Sequence, residues 1–151
     1  MDEARCRAHL AAARVGRLAT VRPDGRPHVV VCCFAVEGDQ VWTAIDAKPK
    51  SGARLQRLEN VRANPCASLL VDHYEEDWER LWWVRVDGAA AVLEEGSEEE
   101  RAIASLTARY PQYAQARPGG PVIAIAIERV VGWSASGLPS ACAPGRARPG
   151  Q

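Results

Sequence analysis

A chain of 151 residues that is 47% hydrophobic and 25% charged has the size and composition of one globular domain, which excludes disorder of the whole chain. Nineteen Lys and Arg balance nineteen Asp and Glu, so the formal net charge is zero and the footprint of a general polyanion binder is absent. The five cysteines (Cys6, Cys32, Cys33, Cys66 and Cys142) are odd in number and form no C-x-x-C, a pattern of reduced thiols and not of a disulfide framework.

In chain order, Asp2 to Arg14 is Ala-rich with Cys6, Leu10 and Ala13 at helical spacing, and Gly16 stops it. Arg17 to Val21 reads as a strand, Pro23-Asp24-Gly25-Arg26-Pro27 as a hairpin turn, and His28 to Val36 as an almost continuously apolar return strand buried on both faces. Cys32 and Cys33 are adjacent in it and point to opposite faces. Glu37-Gly38-Asp39 turns the chain into a third strand, Val41 to Ile45. A Pro-interrupted basic loop with Lys48 and Lys50 follows, then a helix from near Ser51 to Asn64-Pro65.

Cys66 to Asp72 is a fourth strand, His73 to Glu79 an acidic loop, and Leu81 to Leu93 a long fifth strand in which Gly88 marks a bulge or bend. Ser97 and Glu100 have the spacing of a capping box, opening a helix to about Tyr110 with Ile103 and Leu106 inward, and Pro111 ends it. Pro121 to Trp133 alternates as a sixth strand. The expected fold is therefore mainly β: six mostly antiparallel strands in a barrel with flanking helices, one domain over 1–135 and a loosely ordered tail over 136–151. The polar N-terminal helix resembles no signal sequence and no stretch reaches the length of a membrane span, so a cytoplasmic protein is expected.

The strongest local chemistry is the basic stretch. Lys48 and Lys50 bring mobile ammonium groups, Arg54 and Arg57 are three apart on one helical face, and the helix N-terminus adds N–H groups, together a cradle for a phosphate-bearing small molecule. A solvated cationic helix face explains the same residues. Trp78, Trp82 and Trp83 can wall a flat aromatic ligand or fill a core. Trp82 and Trp83 face opposite ways, and Arg85 shares the face of Trp83, where it meets an anion or forms a surface ion pair. Asp72-His73-Tyr74-Glu75-Glu76-Asp77 lacks ligand spacing, so no metal is expected. Ser134-Ala135-Ser136-Gly137 lacks the context of a nucleophile elbow, and an apolar strand raises the thiol pKa of Cys32 and Cys33.

The run Gly16-Arg17-Leu18-Ala19-Thr20-Val21-Arg22-Pro23-Asp24-Gly25-Arg26-Pro27-His28 resembles the opening of the split-barrel flavin and deazaflavin proteins of the pyridoxamine-phosphate-oxidase-like superfamily. Lys48-Pro49-Lys50, Leu58 to Pro65, Ala67 to Asp72 and Val86 to Ala90 are similar to successive blocks of its F-420-dependent, actinobacterial branch. The resemblance covers roughly residues 10–133. It implies an FMN-binding-type split barrel that forms a homodimer, with cofactor sites at the subunit interface.

Lys48, Lys50, Arg54 and Arg57 match the phosphate-holding positions, and Asn60 a position near the phosphate. His28, Val30 and Cys32, with Trp42, Thr43 and Ala44, match positions lining the ring system. The partner subunit would offer Trp78, Trp82, Trp83 and Arg85, with Trp133 nearby. The FMN oxidases carry a compact Arg-x-x-Leu-Leu-Lys block where this chain has Ala47-Lys48-Pro49-Lys50-Ser51-Gly52-Ala53-Arg54, a departure that favours F-420 over FMN. The function expected is hydride transfer between reduced F-420 and an unsaturated or carbonyl-containing small molecule. The alternatives are an FMN-dependent oxidoreductase of the same fold, or a non-catalytic flavin, haem or tetrapyrrole binder.

Overall fold

A computed structural model describes residues 1–45 and 53–137, the side chains of 53–55 excepted. Seven strands form one sheet: β1 (Gly16–Val21), β2 (Pro27–Cys32), β3 (Ala35–Glu37), β4 (Gln40–Ala44), β5 (Cys66–His73), β6 (Trp82–Leu93) and β7 (Val122–Ser134). Their order is β2-β1-β5-β6-β7-β4-β3, and every pairing is antiparallel. Because the two edge strands, β2 and β3, are consecutive in the chain, the sheet curls into a half-barrel whose edges are joined covalently.

The count of seven corrects the expected six. The apolar run from His28 to Val36 is two strands, because β2 pairs with β1 while β3 pairs with β4 at the far edge. The chain changes partner at Cys33 and Phe34. There the Tyr110 hydroxyl replaces the missing ladder: it accepts the Phe34 N–H at 3.1 Å and lies 2.7 Å from Phe34 O and 2.9 Å from Arg14 O, to one of which it donates.

The interior follows from alternation. Leu18 and Thr20 of β1, Leu69 and Val71 of β5, and Val84 and Val86 of β6 point inward, and Arg17, Ala19, Leu70, Arg85 and Asp87 point outward. Helix α1 (Glu3–Ala12), capped by Asp2 accepting from Arg5 N at 2.8 Å, sends Cys6 and Leu10 into this core. Gly132 admits it: a Cβ there would stand 2.5 Å from Cys6 Sγ. Helix α2 (Ala53–Ala63) adds Leu58 and Val61.

Helix α3 (Ser97–Arg109) covers the outer face of β4 and β7, setting Ala102, Ile103 and Leu106 on Trp42, Ala44 and Val122. Burying Ile103 and Leu106 stabilises this layer by about 1.5–3 kcal/mol each. The expected capping box does not form, since Gly96 (φ 115°) is the cap and Ser97 is already helical. The first turn relies instead on Glu98, Glu99 and Glu100 against the helix dipole. Pro111 ends α3 and also begins a short helix α4 (Pro111–Gln115), where the first position tolerates its missing N–H.

Gly88 is where the bulge was expected: the β6–β7 register shifts between Asp87 and Gly88, and a Cβ on Gly88 would lie 1.9 Å from Ala126 O. No described helix is long and apolar enough to cross a membrane.

Candidate functional site

A cleft of about 490 Å³ opens at the β2–β3 break, between α2 on one side and the α3–α4 corner on the other. Val31, Cys32 and Cys33 form its strand wall, Arg57 reaches it from α2, Arg14 and Val15 come from the segment before β1, and Tyr110, Gln112 and Tyr113 close the far side. Among the described residues its lining holds two guanidiniums and no carboxylate, so the cleft favours an anionic guest.

Local geometry fixes each wall. On β2, His28, Val30 and Cys32 share one face while Val29 and Val31 are 60% and 67% exposed on the other. Helix α2 is held against β1 by a buried amide relay: Asn60 Nδ2 donates to Thr20 Oγ1 at 2.9 Å, and Gln56 Nε2 donates to Asn60 Oδ1 at 2.8 Å. That relay sets where the α2 face carrying Arg57 stands relative to β2. The guanidinium acts electrostatically on both His28 and Cys32.

Burial and the cations Arg22 and Arg57 hold the His28 imidazole below its ordinary pKa, so it is neutral at pH 7. Its Nδ1 is buried with no hydrogen-bond partner among the described residues. Burial pushes the Cys32 thiol up, against smaller opposing effects of the Thr43 hydroxyl and Arg57, so it is a poor nucleophile.

The structure brings together part of the expected set. His28, Cys32 and Arg57 belong to one neighbourhood, Thr43 meets Cys32 from β4, and Val30 lies between His28 and Cys32 on their face of β2. Lys48 and Lys50 lie outside the described residues, and Arg54 is described by its backbone alone, within α2. Trp42 and Ala44 are taken up by the layer under α3 and do not line the cleft. Asn60 is fully buried in the relay with Thr20, a structural role.

The four residues expected from a partner subunit lie away from this chain's cleft. Trp78 is 68% exposed on a 3-10 turn (Trp78–Arg80). Trp82 stacks on His9 at 4.1 Å and on His73 at 6.1 Å. Trp83 and Arg85 stand on the outer sheet face beside Trp133 and Val131. Arg85 Nε pairs with Asp87 at 2.9 Å. Burial would raise the Asp87 carboxyl, but the Ser68 hydroxyl and Arg85 together hold it below the usual carboxylate range. No group of three or more His, Cys, Asp and Glu side chains converges among the described residues.

Arg14, Cys33, Tyr110, Gln112 and Tyr113 were not expected at a site. The one signal in the sequence was an aromatic pair astride Pro111, Tyr110 and Tyr113, just past a helix end. Nothing local says that this corner meets the middle of an apolar run more than 70 residues earlier.

The outer face of β1, β2, β5 and β6 carries Val29, Val31, Ala19 and Leu70 interleaved with Arg17, Ser68, Arg85 and Asp87, and among the described residues no helix lies over it. Val15, 43% exposed, adjoins this face and links it to the cleft.

A model of the family described as Pyridoxamine 5'-phosphate oxidase matches residues 2–134. A conserved hypothetical protein of Mycobacterium tuberculosis superposes with TM-score 0.74 at 27% identity, over 97% of this chain and 94% of that one. A FAD-binding protein of Mesorhizobium loti superposes with TM-score 0.68 at 26% identity, over 87% and 94%. A heme binding protein of Mycobacterium smegmatis, at 18% identity and TM-score 0.65, covers 86% of this chain and 56% of that one, and shares the fold alone. The sequence matches no curated protein.

Proposed function

We propose, because this chain belongs to the pyridoxamine 5'-phosphate oxidase family, that it is a flavin- or deazaflavin-dependent oxidoreductase, with F-420 preferred, acting as a homodimer on a small molecule bearing an unsaturated or carbonyl carbon. The observation that carries the reading is the cleft at the β2–β3 break, with two guanidiniums, an apolar strand wall and, among the described residues, no carboxylate. A phosphate-bearing tricyclic ring needs that combination: positive charge at one end, and a flat apolar surface with a few polar groups at its edge.

In this reading Arg57, with Arg54, Lys48 and Lys50, holds the phosphate. Val30 and Cys32 lie along the ring, and the buried Nδ1 of neutral His28 offers a hydrogen bond at its edge. Bound there, the cofactor supplies a hydride acceptor and donor that no side chain of this protein provides. The protein's own work is orientation and exclusion of water. Cys32, with its thiol pKa raised, stays protonated and inert beside the ring.

The homodimer accounts for the uncovered outer face. Val29 and Val31 are exposed beside Ala19, Leu70 and Arg17, and exposed valines among a few charged groups next to a ligand cleft are the kind of surface that a second copy buries. Such a copy would bring the neighbourhood of its own Trp78 to Arg85 toward the cleft.

The test is a fluorescence titration of the ligand-free protein with F-420 and, separately, FMN, repeated with Arg57→Ala and Lys50→Ala. Dissociation constants at or below about 1 μM for F-420, weakened about tenfold or more in both variants, support the reading. Preference for FMN moves the protein to the FMN-dependent class. Binding of neither refutes the oxidoreductase and directs the search to haem and other tetrapyrroles.

A further inference from the structure

We infer that Arg14 is a specificity-determining residue that anchors a planar carboxylate in the outer half of the cleft, so that the substrate of the oxidoreductase proposed above is a conjugated carboxylic acid. The inference rests on that reading only for the word substrate; the binding site itself stands on the geometry of the Arg14–Tyr110 corner.

The guanidinium is positioned without being neutralised. Arg14 Nη2 donates to Arg109 O at 2.9 Å, and its Cζ lies 4.8 Å above the Tyr110 ring. Tyr110 is itself immobile, 5% exposed and tied by its hydroxyl to Phe34 and to Arg14 O. Arg109 returns the contact, donating Nη2 to Ala13 O and Nε to the Tyr110 hydroxyl at 3.2 Å. Two segments nearly a hundred residues apart thus clasp each other and hold one cationic plane at the cleft rim.

Among the described residues no carboxylate pairs with Arg14, whereas Arg7, Arg17, Arg26 and Arg101 each reach one. A pre-oriented guanidinium at a cleft whose described lining holds no acid is an anion receptor.

The shape of the surroundings selects the anion. The second guanidinium, Arg57, belongs to the basic helix assigned to the cofactor phosphate, which leaves Arg14 as the cation of the outer half, beside the Gln112 amide and the Tyr113 phenol. One planar fork can pair two oxygens of a carboxylate or of a phosphate, but a lone guanidinium balances the single charge of a carboxylate and leaves the second charge of a phosphate dianion uncompensated. Val15 and Val31 on one side and the Tyr113 ring on the other make apolar walls for a flat body attached to that carboxylate.

The experiment uses the full chain and three probes of similar bulk, trans-cinnamate, trans-cinnamamide and phenyl phosphate, titrated by calorimetry into wild type, Arg14→Gln and Val15→Glu. Cinnamate is expected to bind wild type at least about tenfold more tightly than cinnamamide, and this discrimination is expected to vanish in R14Q while cinnamamide binding stays the same. V15E adds a carboxylate at an exposed rim position and is expected to weaken the anions cinnamate and phenyl phosphate more than the neutral cinnamamide, which keeps the test alive if R14Q folds poorly.

Equal binding of acid and amide to wild type, a parallel loss of both in R14Q, or tighter binding of phenyl phosphate than of cinnamate overturns the inference. F-420 and FMN are titrated into the same samples. Cofactor binding with no acid–amide discrimination removes this inference alone. Discrimination without binding of either cofactor upholds the carboxylate site and removes the oxidoreductase.

Discussion

Replacing Tyr110 by Phe tests the joint on which the barrel and its cleft depend. The ring stays, so its packing and its contacts with the Arg14 and Arg109 guanidinium carbons survive, while the hydroxyl is deleted together with the bond it accepts from Arg109 Nε. Phe34 is fully buried; its N–H donates to that hydroxyl at 3.1 Å, and the hydroxyl's one proton goes to Phe34 O at 2.7 Å or to Arg14 O at 2.9 Å. Each orphaned buried group costs about 1–3 kcal/mol.

Arg14 O is less costly because its residue is exposed and water can replace the phenol. Local relaxation offsets part of the sum, so we expect Y110F to lose about 3 kcal/mol. The assay is urea unfolding at fixed protein concentration, with the midpoint falling and the slope unchanged. A loss below about 0.5 kcal/mol, the size of an ordinary surface substitution, would falsify the claim that the Tyr110 hydroxyl holds the strand break.

Three further outcomes follow from the same structure. Gly88→Ala places a Cβ 1.9 Å from Ala126 O; the two backbones must separate at the bulge, and thermal melting is expected to fall by about 6–12 °C, corresponding to roughly 3 kcal/mol, so an unchanged melting temperature would contradict the close approach. Burial and nearby arginines lower the pKa of His28 and also of His9. Below about pH 6.5 the unfolded chain therefore binds protons that the native chain refuses, and stability is complete above that value and declines as pH falls through it. Urea midpoints at pH 7.5 and 5.5 should differ in that direction and by less in His28→Asn; a steeper dependence in the variant would reverse the sign of the argument. Val29→Glu combined with Val31→Glu charges two exposed positions of the outer face and is expected to give a monomer in sedimentation equilibrium with the melting temperature of the fold retained, while an unaltered dimer would place the interface elsewhere.

Much of the architecture was legible because it is written locally. The Asp24-Gly25 turn is where expected, with Gly25 at φ 85° and the Asp24 carboxylate accepting the Arg26 N–H at 3.1 Å. β1, β5 and β6 were legible as strands, the opposite faces of Trp82 and Trp83 followed from the pleat, and Gly88 marked the bulge. Local signals failed where two explanations share one pattern. Ser97 and Glu100 have the spacing of a cap, but Gly96 can take a positive φ at low cost and becomes the cap instead. A continuous apolar run reads equally as one buried strand or as two short ones, and the choice at Cys33 and Phe34 was made by Tyr110, 76 residues away.

The candidate site divides along the same line. Arg57, His28 and Cys32 were legible as residue types in a familiar order, and the structure places them in one neighbourhood. Asn60 and Trp42 share that order but not that fate. An amide buried beside Thr20 serves the packing of α2, and an indole beneath α3 serves a second core, because burial is decided by which elements cover a residue.

The sequence by itself determined the periods, turns and charges: which segments are strands or helices, which faces are apolar, and that positive charge gathers near one helix. Only the tertiary structure decided that Arg14, Tyr110 and Tyr113 meet Cys32, Cys33 and Arg57 around one cleft. The physical reason is range. Hydrogen bonding and side-chain alternation act over a few residues and leave their mark in the local pattern, whereas the closure of a curled sheet brings together segments whose spacing in the chain carries no trace of their contact.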